Sequence, residues 1–247
     1  MVLTIMITEI SSLQHPLVKK WVKLRSDKDM REEHGSVLLT GEKMIRDLSK
    51  NISLQALISE RPAPEIPAQD RYVVKADILR KITGVSSPDG FAAVAELPKP
   101  QSLAGKQRIV VLDRIADPGN LGTILRTALA MNWDGVLFTP QTVDPFNDKA
   151  LRASKGALFF FPFAWEEGET FLQKTRSHAY VADLEGLPLS EVSAHPPLAL
   201  ILSNEGAGPS EWTEKVAMKI SIPMHNDVES LNVAASGAIL LYAMRPK

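Results

Sequence analysis

The 247 residues suffice for one large domain or two modest ones, and a content of 45% hydrophobic and 23% charged residues lets sizeable cores be buried. The absence of cysteine excludes disulfides, thiolate metal ligands and a cysteine nucleophile, and fits a reducing cytoplasm. A formal net charge of −1 argues against strong sequence-indifferent nucleic-acid binding, which rests on phosphate neutralisation. The charge is uneven, however. Residues 1–100 hold 15 Lys and Arg against 13 Asp and Glu, and His15 to Arg31 alone hold six basic residues against two acids. A local basic patch therefore keeps RNA open as a partner.

The opening MVLTIMITEISS lacks the basic start and the apolar length of a signal peptide. Leu17, Val18, Trp21, Val22 and Leu24 then recur at helical spacing, with Lys19, Lys20 and Lys23 projecting around the stripe. Ser36–Thr40 reads as a strand, Glu42–Leu48 as a helix, and Leu54–Ile58, Tyr72–Val74 and Phe91–Ala95 as further strands. Leu97 to Lys106 carries two prolines and a glycine and marks a linker. These signals predict a small α/β domain over residues 1–100, a linker over 101–107, and a second domain over 108–247.

From Arg108 the texture changes. Ile109–Leu112 is a continuous apolar run, as expected of a strand covered on both faces of a parallel sheet. A Pro-Gly turn and a helical pattern over Leu121–Met131 follow. Strands are expected at Val136–Phe138, Phe159–Phe163, Ala179–Ala182, Leu198–Leu202 and Ile220–Ile222, with helices at Asp148–Ser154, Glu169–Thr175 and Asn232–Met244. The alternation predicts an α/β fold with a parallel sheet. The final apolar stretch, Leu231 to Met244, is too short to span a bilayer and reads as a buried helix, so no membrane partner is expected.

Three polar segments fall where strands end, the usual ligand position in open α/β sheets. In Asp117-Pro-Gly-Asn-Leu-Gly-Thr-Ile-Leu-Arg-Thr127, Asn120 sits near a helix start, and Arg126 nearly two turns later can face the same cleft. A phosphate loop would need a Gly-Lys-Ser/Thr ending, which is missing. In Leu202-Ser-Asn-Glu-Gly-Ala-Gly-Pro209, glycines 206 and 208 let backbone approach a ligand closely. In Ile222-Pro-Met-His-Asn-Asp-Val-Glu-Ser-Leu-Asn-Val233 a strand meets a polar loop, and Ser230 and Asn232 open an apolar helix, where an ordinary cap is the plainer role. His225, Asp227 and Ser230 do not make a hydrolytic triad, because no Gly-x-Ser-x-Gly elbow accompanies them. The five histidines show no metal-ligand spacing, and no metal is expected.

These segments, NLGTILRTA, NEGAG and IPMHNDVESLNVAASGAILLY, resemble in kind and order the motifs of the SpoU (TrmH-like) RNA 2′-O-ribose methyltransferases of the SPOUT superfamily. The stretches Ser12–Lys19 and Leu38–Lys43 are similar to that family's small RNA substrate-binding domain, which is related in fold to RNA-binding ribosomal proteins. The resemblance implies a parallel α/β sheet whose C-terminal segment threads a deep trefoil knot, an exception to unknotted topology. It implies S-adenosylmethionine bent in the knot and held largely by backbone around Leu202, Ser203, Gly206, Ile222, Met224 and Leu231. It further implies a homodimer acting on RNA, most readily ribosomal RNA. A tRNA enzyme of the same chemistry and an RNA-binding protein without catalysis are the alternatives.

The family's polar catalytic positions fall on Asn120, Arg126, Glu205, Ser230 and Asn232. Ser203 and Asn226 stand where the family commonly has glycine. The base role often given to the arginine is physically awkward for Arg126, since a guanidinium stays protonated. Paired with a substrate phosphate it can instead fix the ribose and lower the hydroxyl pKa. Glu205 is the easier proton acceptor unless it is committed to orienting Arg126. Lys19, Lys20, Lys23 and Arg25 are candidate phosphate contacts, and a solvated helix face is the competing reading.

Overall fold

A computed structural model describes residues 7–225 and 230–246. Asn226 and Asp227 lie outside the described residues. The chain falls into two compact units, one comprising residues up to Pro98 together with Phe146–Phe159, the other Lys99–Pro145 and the residues from Phe160 onward.

The first unit holds a five-stranded mixed sheet in the order β1-β4-β3-β5-β2, from β1 (Thr8–Ile10), β2 (Ser36–Thr40), β3 (Leu54–Ser59), β4 (Asp70–Val74) and β5 (Phe91–Glu96). Strand β4 pairs parallel with β1 and β3, while β5 runs antiparallel to β3 and β2. Helix α1 (Pro16–Ser26) lays Val18, Trp21 and Leu24 on one face, beside Ile78, Leu79 and Ile82 of α4 (Ala76–Thr83). Those six side chains bury Leu38, Ile58 and Val94 of the sheet beneath them. Burial of this kind stabilises by about 25 cal/mol per Å² of apolar surface. His15 caps α1 through Nδ1, and Pro16 at its first position costs no hydrogen bond there. A short second helix, α2 (Lys28–His34), ends on Gly35 at φ 55°, a left-handed position suited to glycine. Helix α3 (Glu42–Leu48) also belongs to this unit, as does α6 (Asp148–Ser154), which packs against β2.

The second unit is a six-stranded, wholly parallel sheet in the order β11-β9-β10-β6-β7-β8. Its strands are β6 (Arg108–Asp113), β7 (Gly135–Phe138), β8 (Phe163–Trp165), β9 (His178–Pro188), β10 (Leu198–Ser203) and β11 (Ala217–Ser221). Every residue of β10 is buried, as a central strand covered on both faces requires. One face, with Ile109, Val111, Val181 and Ile201, packs Phe171 and Leu172 of α7 (Gly168–Thr175) and Trp212 of α8 (Glu211–Val216). On the other lie α5 (Pro118–Ala130) and α9 (Val233–Ala243), packed against each other, with Gly237 of α9 so close to β10 that a Cβ would stand 2.8 Å from Leu202 Cδ1. The far end of α9 is tied down by Trp133 Nε1–H donating to the Leu241 carbonyl (3.1 Å) and Arg108 Nε to that of Met244 (3.1 Å). Among the described residues no helix is long and apolar enough to cross a membrane.

The expected strand at Phe159–Phe163 is not one. Residues Ala157–Phe159 form a 3₁₀ turn and pairing begins only at Phe163, because Pro162 lacks a ladder donor and restricts Phe161 before it. The strand expected at Ala179–Ala182 runs on to Pro188, but its pairing with β11 jumps from Lys219↔Val181 to Ile220↔Leu187. Residues 182–186 thus leave the ladder and return to it. They return through Gly186, where a Cβ would stand 2.4 Å from Ile220 N and 2.5 Å from the Lys219 carbonyl carbon.

Candidate active site

Two loops at the C-terminal ends of β6 and β10 carry the polar residues. Asp117, not Asn120, caps α5, its Oδ1 accepting from the Asn120 amide (2.8 Å). That leaves the Asn120 side chain free for a longer reach. The loop after β10 is held by Asn204, whose Oδ1 accepts from the amides of Gly206 (2.9 Å) and Ala207 (3.1 Å) while Nδ2 donates to the Arg114 carbonyl (2.9 Å). Arg114 itself is left-handed at φ 56° and donates through Nη2 to the Gly208 carbonyl (3.1 Å). Buried Asp113 accepts from both the amide and the hydroxyl of Ser210. The loop between Asn204 and Ser210 is thereby fixed at both ends.

From that loop Glu205 reaches the two other segments. Its Oε1 accepts from Asn120 Nδ2 (2.8 Å), Asn232 Nδ2 (2.9 Å) and the Val233 amide (2.9 Å). Asn232 Nδ2 also donates to Asn120 Oδ1 (3.0 Å), closing a triangle of three side chains. Asn232 Oδ1 caps α9 through the amides of Ala234 and Ala235, so the cap falls on Asn232 and not on Ser230. The carboxylate at the start of α9 is favoured by the helix dipole as well as by charge-assisted bonds. Glu205 is committed to this network rather than to Arg126. Arg126 is exposed on α5 and makes no hydrogen bond or ion pair with a described residue.

Beside the triangle lies a cavity of about 400 Å³. The excursion 182–186 supplies one wall with Asp183, Leu184 and Glu185; Ile222 and Met224 supply another, and Ser203, Glu205, Ser230 and Leu231 face it as well. Asp183 is bound to Lys219 Nζ (3.1 Å), and that hydrogen bond holds the ammonium pKa above its ordinary value. Of the residues expected to hold a cofactor, Ser203, Ile222, Met224 and Leu231 line the cavity. Leu202 is fully buried in β10, and Gly206 lies exposed at the loop tip. Asn120, Arg126 and Asn232 are not cavity-lining residues. The wall at 182–186 is absent from the sequence expectations; the one local signal that could have marked it is Gly186, where backbones come close. Among the described residues no group of three or more His, Asp or Glu is placed to hold a metal.

In the first unit, Lys19, Lys20 and Lys23 are exposed along α1. Arg25 is partly occupied. Its Nη1 donates to the carbonyls of Lys81 (3.0 Å) and Ile82 (3.1 Å), capping the C-terminus of α4.

With a parallel sheet, a cavity at its C-terminal edge and an Asn-Glu-Asn network from three separate segments, the second unit has the form of an α/β domain with a small-molecule site at its strand ends. The chain belongs to the SpoU rRNA Methylase family, whose model matches residues 107–242. It is 31% identical over 247 residues to the 23S rRNA (guanosine(2553)-2′-O)-methyltransferase RlmP of Bacillus subtilis strain 168, covering 96% of this chain and 99% of the relative. It is 32% identical over 160 residues to the 23S rRNA (adenosine(1067)-2′-O)-methyltransferase of Streptomyces azureus, covering 60% of each. Among solved structures, the AdoMet-bound rRNA methyltransferase of Sinorhizobium meliloti superposes with a TM-score of 0.82 at 27% identity, over 96% of this chain and 97% of that one.

Proposed function

We propose that this protein transfers the methyl group of S-adenosylmethionine to a ribose 2′-hydroxyl of ribosomal RNA. The observation that carries the reading is the closed network of Asn120, Glu205 and Asn232 beside a cavity, in a chain of this family. The cavity suits the donor. Its volume lies in the range of small-molecule sites, its walls are part apolar, and one of its lining residues, Ser203, has a buried hydroxyl without a partner among the described residues. Bound there, the donor supplies an electrophilic methyl on a sulfonium, open to in-line displacement by the ribose oxygen.

The chain's own residues then have separable tasks. Arg126, exposed and without a partner among the described residues, takes the phosphate of the target nucleotide; its charge lowers the pKa of the neighbouring hydroxyl and its fork fixes the sugar behind the methyl. Glu205 is a positioning residue. With Oε1 engaged by three N–H donors it locks the N-termini of α5 and α9 to the loop after β10. Asn120 and Asn232 complete that lock, and Ser230 orients substrate at the cavity mouth.

The same reading assigns residues 1–100 to RNA binding through Lys19, Lys20 and Lys23, with Arg25 contributing its remaining guanidinium donors, and residues 108–247 to catalysis, joined by a linker over 101–107. It places Leu202 and Gly206 with the cavity residues as backbone contacts to the donor, and the C-terminal segment in a trefoil knot. It takes the protein as a cytoplasmic homodimer that uses no metal, its subunits meeting over the α5–α9 surface, where Ile239 and Tyr242 are 42% and 55% exposed. The test is transfer of labelled methyl from S-adenosylmethionine to ribosomal RNA, mapped as a 2′-O-methyl nucleotide. Transfer that persists when the target ribose is replaced by 2′-deoxyribose would overturn the reading.

A further inference from the structure

The geometry points to the Ser203 hydroxyl as a side-chain hydrogen-bonding contact to the methyl donor, made to a part of it that the spent product keeps. The inference rests on the reading of the cavity as the donor site, and names an interaction beyond the backbone contacts that reading supplies.

Ser203 closes β10 and pairs with Asp113 of β6 on one side. On the other side the ladder to β9 ends one pair earlier than Leu202, at Ile201↔Val181, because the excursion 182–186 begins there. The departure of that one strand opens the space beside Ser203 and makes it a cavity-lining residue. The residue is only 8% exposed, and its Oγ is buried with no hydrogen-bond partner among the described residues. Its position contrasts with that of Ser210, whose hydroxyl is bound by the Asp113 carboxylate, and Ser236, whose hydroxyl finds the Val233 carbonyl. A hydroxyl that has left water without a partner is destabilising, and most buried polar groups in folded proteins avoid that state. Ser203 lines the cavity while its Oγ is screened from water, so a ligand seated there, met by a turn of the side chain about χ1, can supply the missing partner.

The chemistry of the donor limits what that partner can be. S-adenosylmethionine and S-adenosylhomocysteine differ only in the methyl and the positive charge on sulfur. A conventional O–H hydrogen bond falls instead on the adenine, the ribose or the amino-acid groups, which both carry. Removing the hydroxyl should then weaken both ligands alike.

The experiment is titration calorimetry of the full chain and of Ser203→Ala and Ser203→Gly with each ligand, alongside melting temperatures with and without S-adenosylhomocysteine. Both variants are expected to bind both ligands about 3- to 10-fold more weakly. The unliganded alanine variant is expected to melt no lower than the parent, while the rise in melting temperature produced by the ligand shrinks. Affinities within twofold of the parent would overturn the inference, as would a loss confined to S-adenosylmethionine. A lowered melting temperature with unchanged affinities would assign Ser203 to the fold instead. If the parent chain bound neither ligand, the donor reading itself would fall, and this inference with it.

Discussion

Asp113 and Ser210 stand 97 residues apart in sequence and are joined twice, the serine amide and hydroxyl both donating to one buried carboxylate. The pair anchors the far end of the loop that presents Glu205. Asp113→Ala leaves two donors of Ser210 and the hydroxyl of Thr139 with a lost acceptor, and should cost about 2–3 kcal/mol in urea unfolding. The same variant should lose donor affinity, because the loop is freed.

Glu205 separates positioning from proton transfer. Glu205→Gln keeps an acceptor at Oε1 for Asn120, Asn232 and the Val233 amide, so the network persists with weaker, uncharged bonds. A melting temperature lower by a few degrees is expected, with a methylation rate within a few-fold of the parent and an unchanged pH profile. Glu205→Ala should cut the rate at least tenfold. A glutamine variant as inactive as the alanine one, with a shifted pH profile, would return the carboxylate to the role of base.

Arg126→Ala should leave stability within about 0.5 kcal/mol, since the side chain is exposed and unpaired within the described residues. Methyl transfer should nonetheless fall about a hundredfold through lost substrate alignment, with donor affinity unchanged in calorimetry.

On α1 the basic side chains should part into two kinds. Replacing Lys19, Lys20 and Lys23 together by alanine should leave the melting temperature alone and lower the salt dependence of RNA binding, the slope of log K against log salt shrinking by up to about three. Arg25→Ala should instead cost about 1 kcal/mol, because the end of α4 loses its cap.

Gly186→Ala tests the cavity wall. The added methyl has no flexible side chain to displace, only the backbone of Lys219 and Ile220. A loss of about 1–3 kcal/mol is expected, with weakened donor binding. Retention of both would show that the excursion tolerates separation from β11.

The sequence made some elements legible and hid others for identifiable reasons. The helix Glu42–Leu48 and the strand Ser36–Thr40 coincide with their expected bounds, because period and flanking residues agree there. The helices Lys28–His34 and Ala76–Thr83 and the strand Thr8–Ile10 went unread, the first carrying only one buried residue to give it a period. Asn120 and Asn232 stand out in the sequence as polar residues at helix starts and Glu205 through the family resemblance, but their mutual contact is not readable, since no local pattern encodes a bond between residues 85 or 112 positions apart. The excursion at 182–186 was hidden for a related reason: an alternation of apolar and acidic residues says nothing of where a partner strand lets go.

The triangle of Asn120, Glu205 and Asn232 also bears on how the protein matures. Its members come from widely separated stretches, and such long-range contacts are slow to form because loop closure precedes any gain. On a translating ribosome the chain has no complete pocket until Asn232 has cleared the exit tunnel. Retention on a donor-analogue resin would therefore select finished molecules and let nascent or misfolded chains pass through.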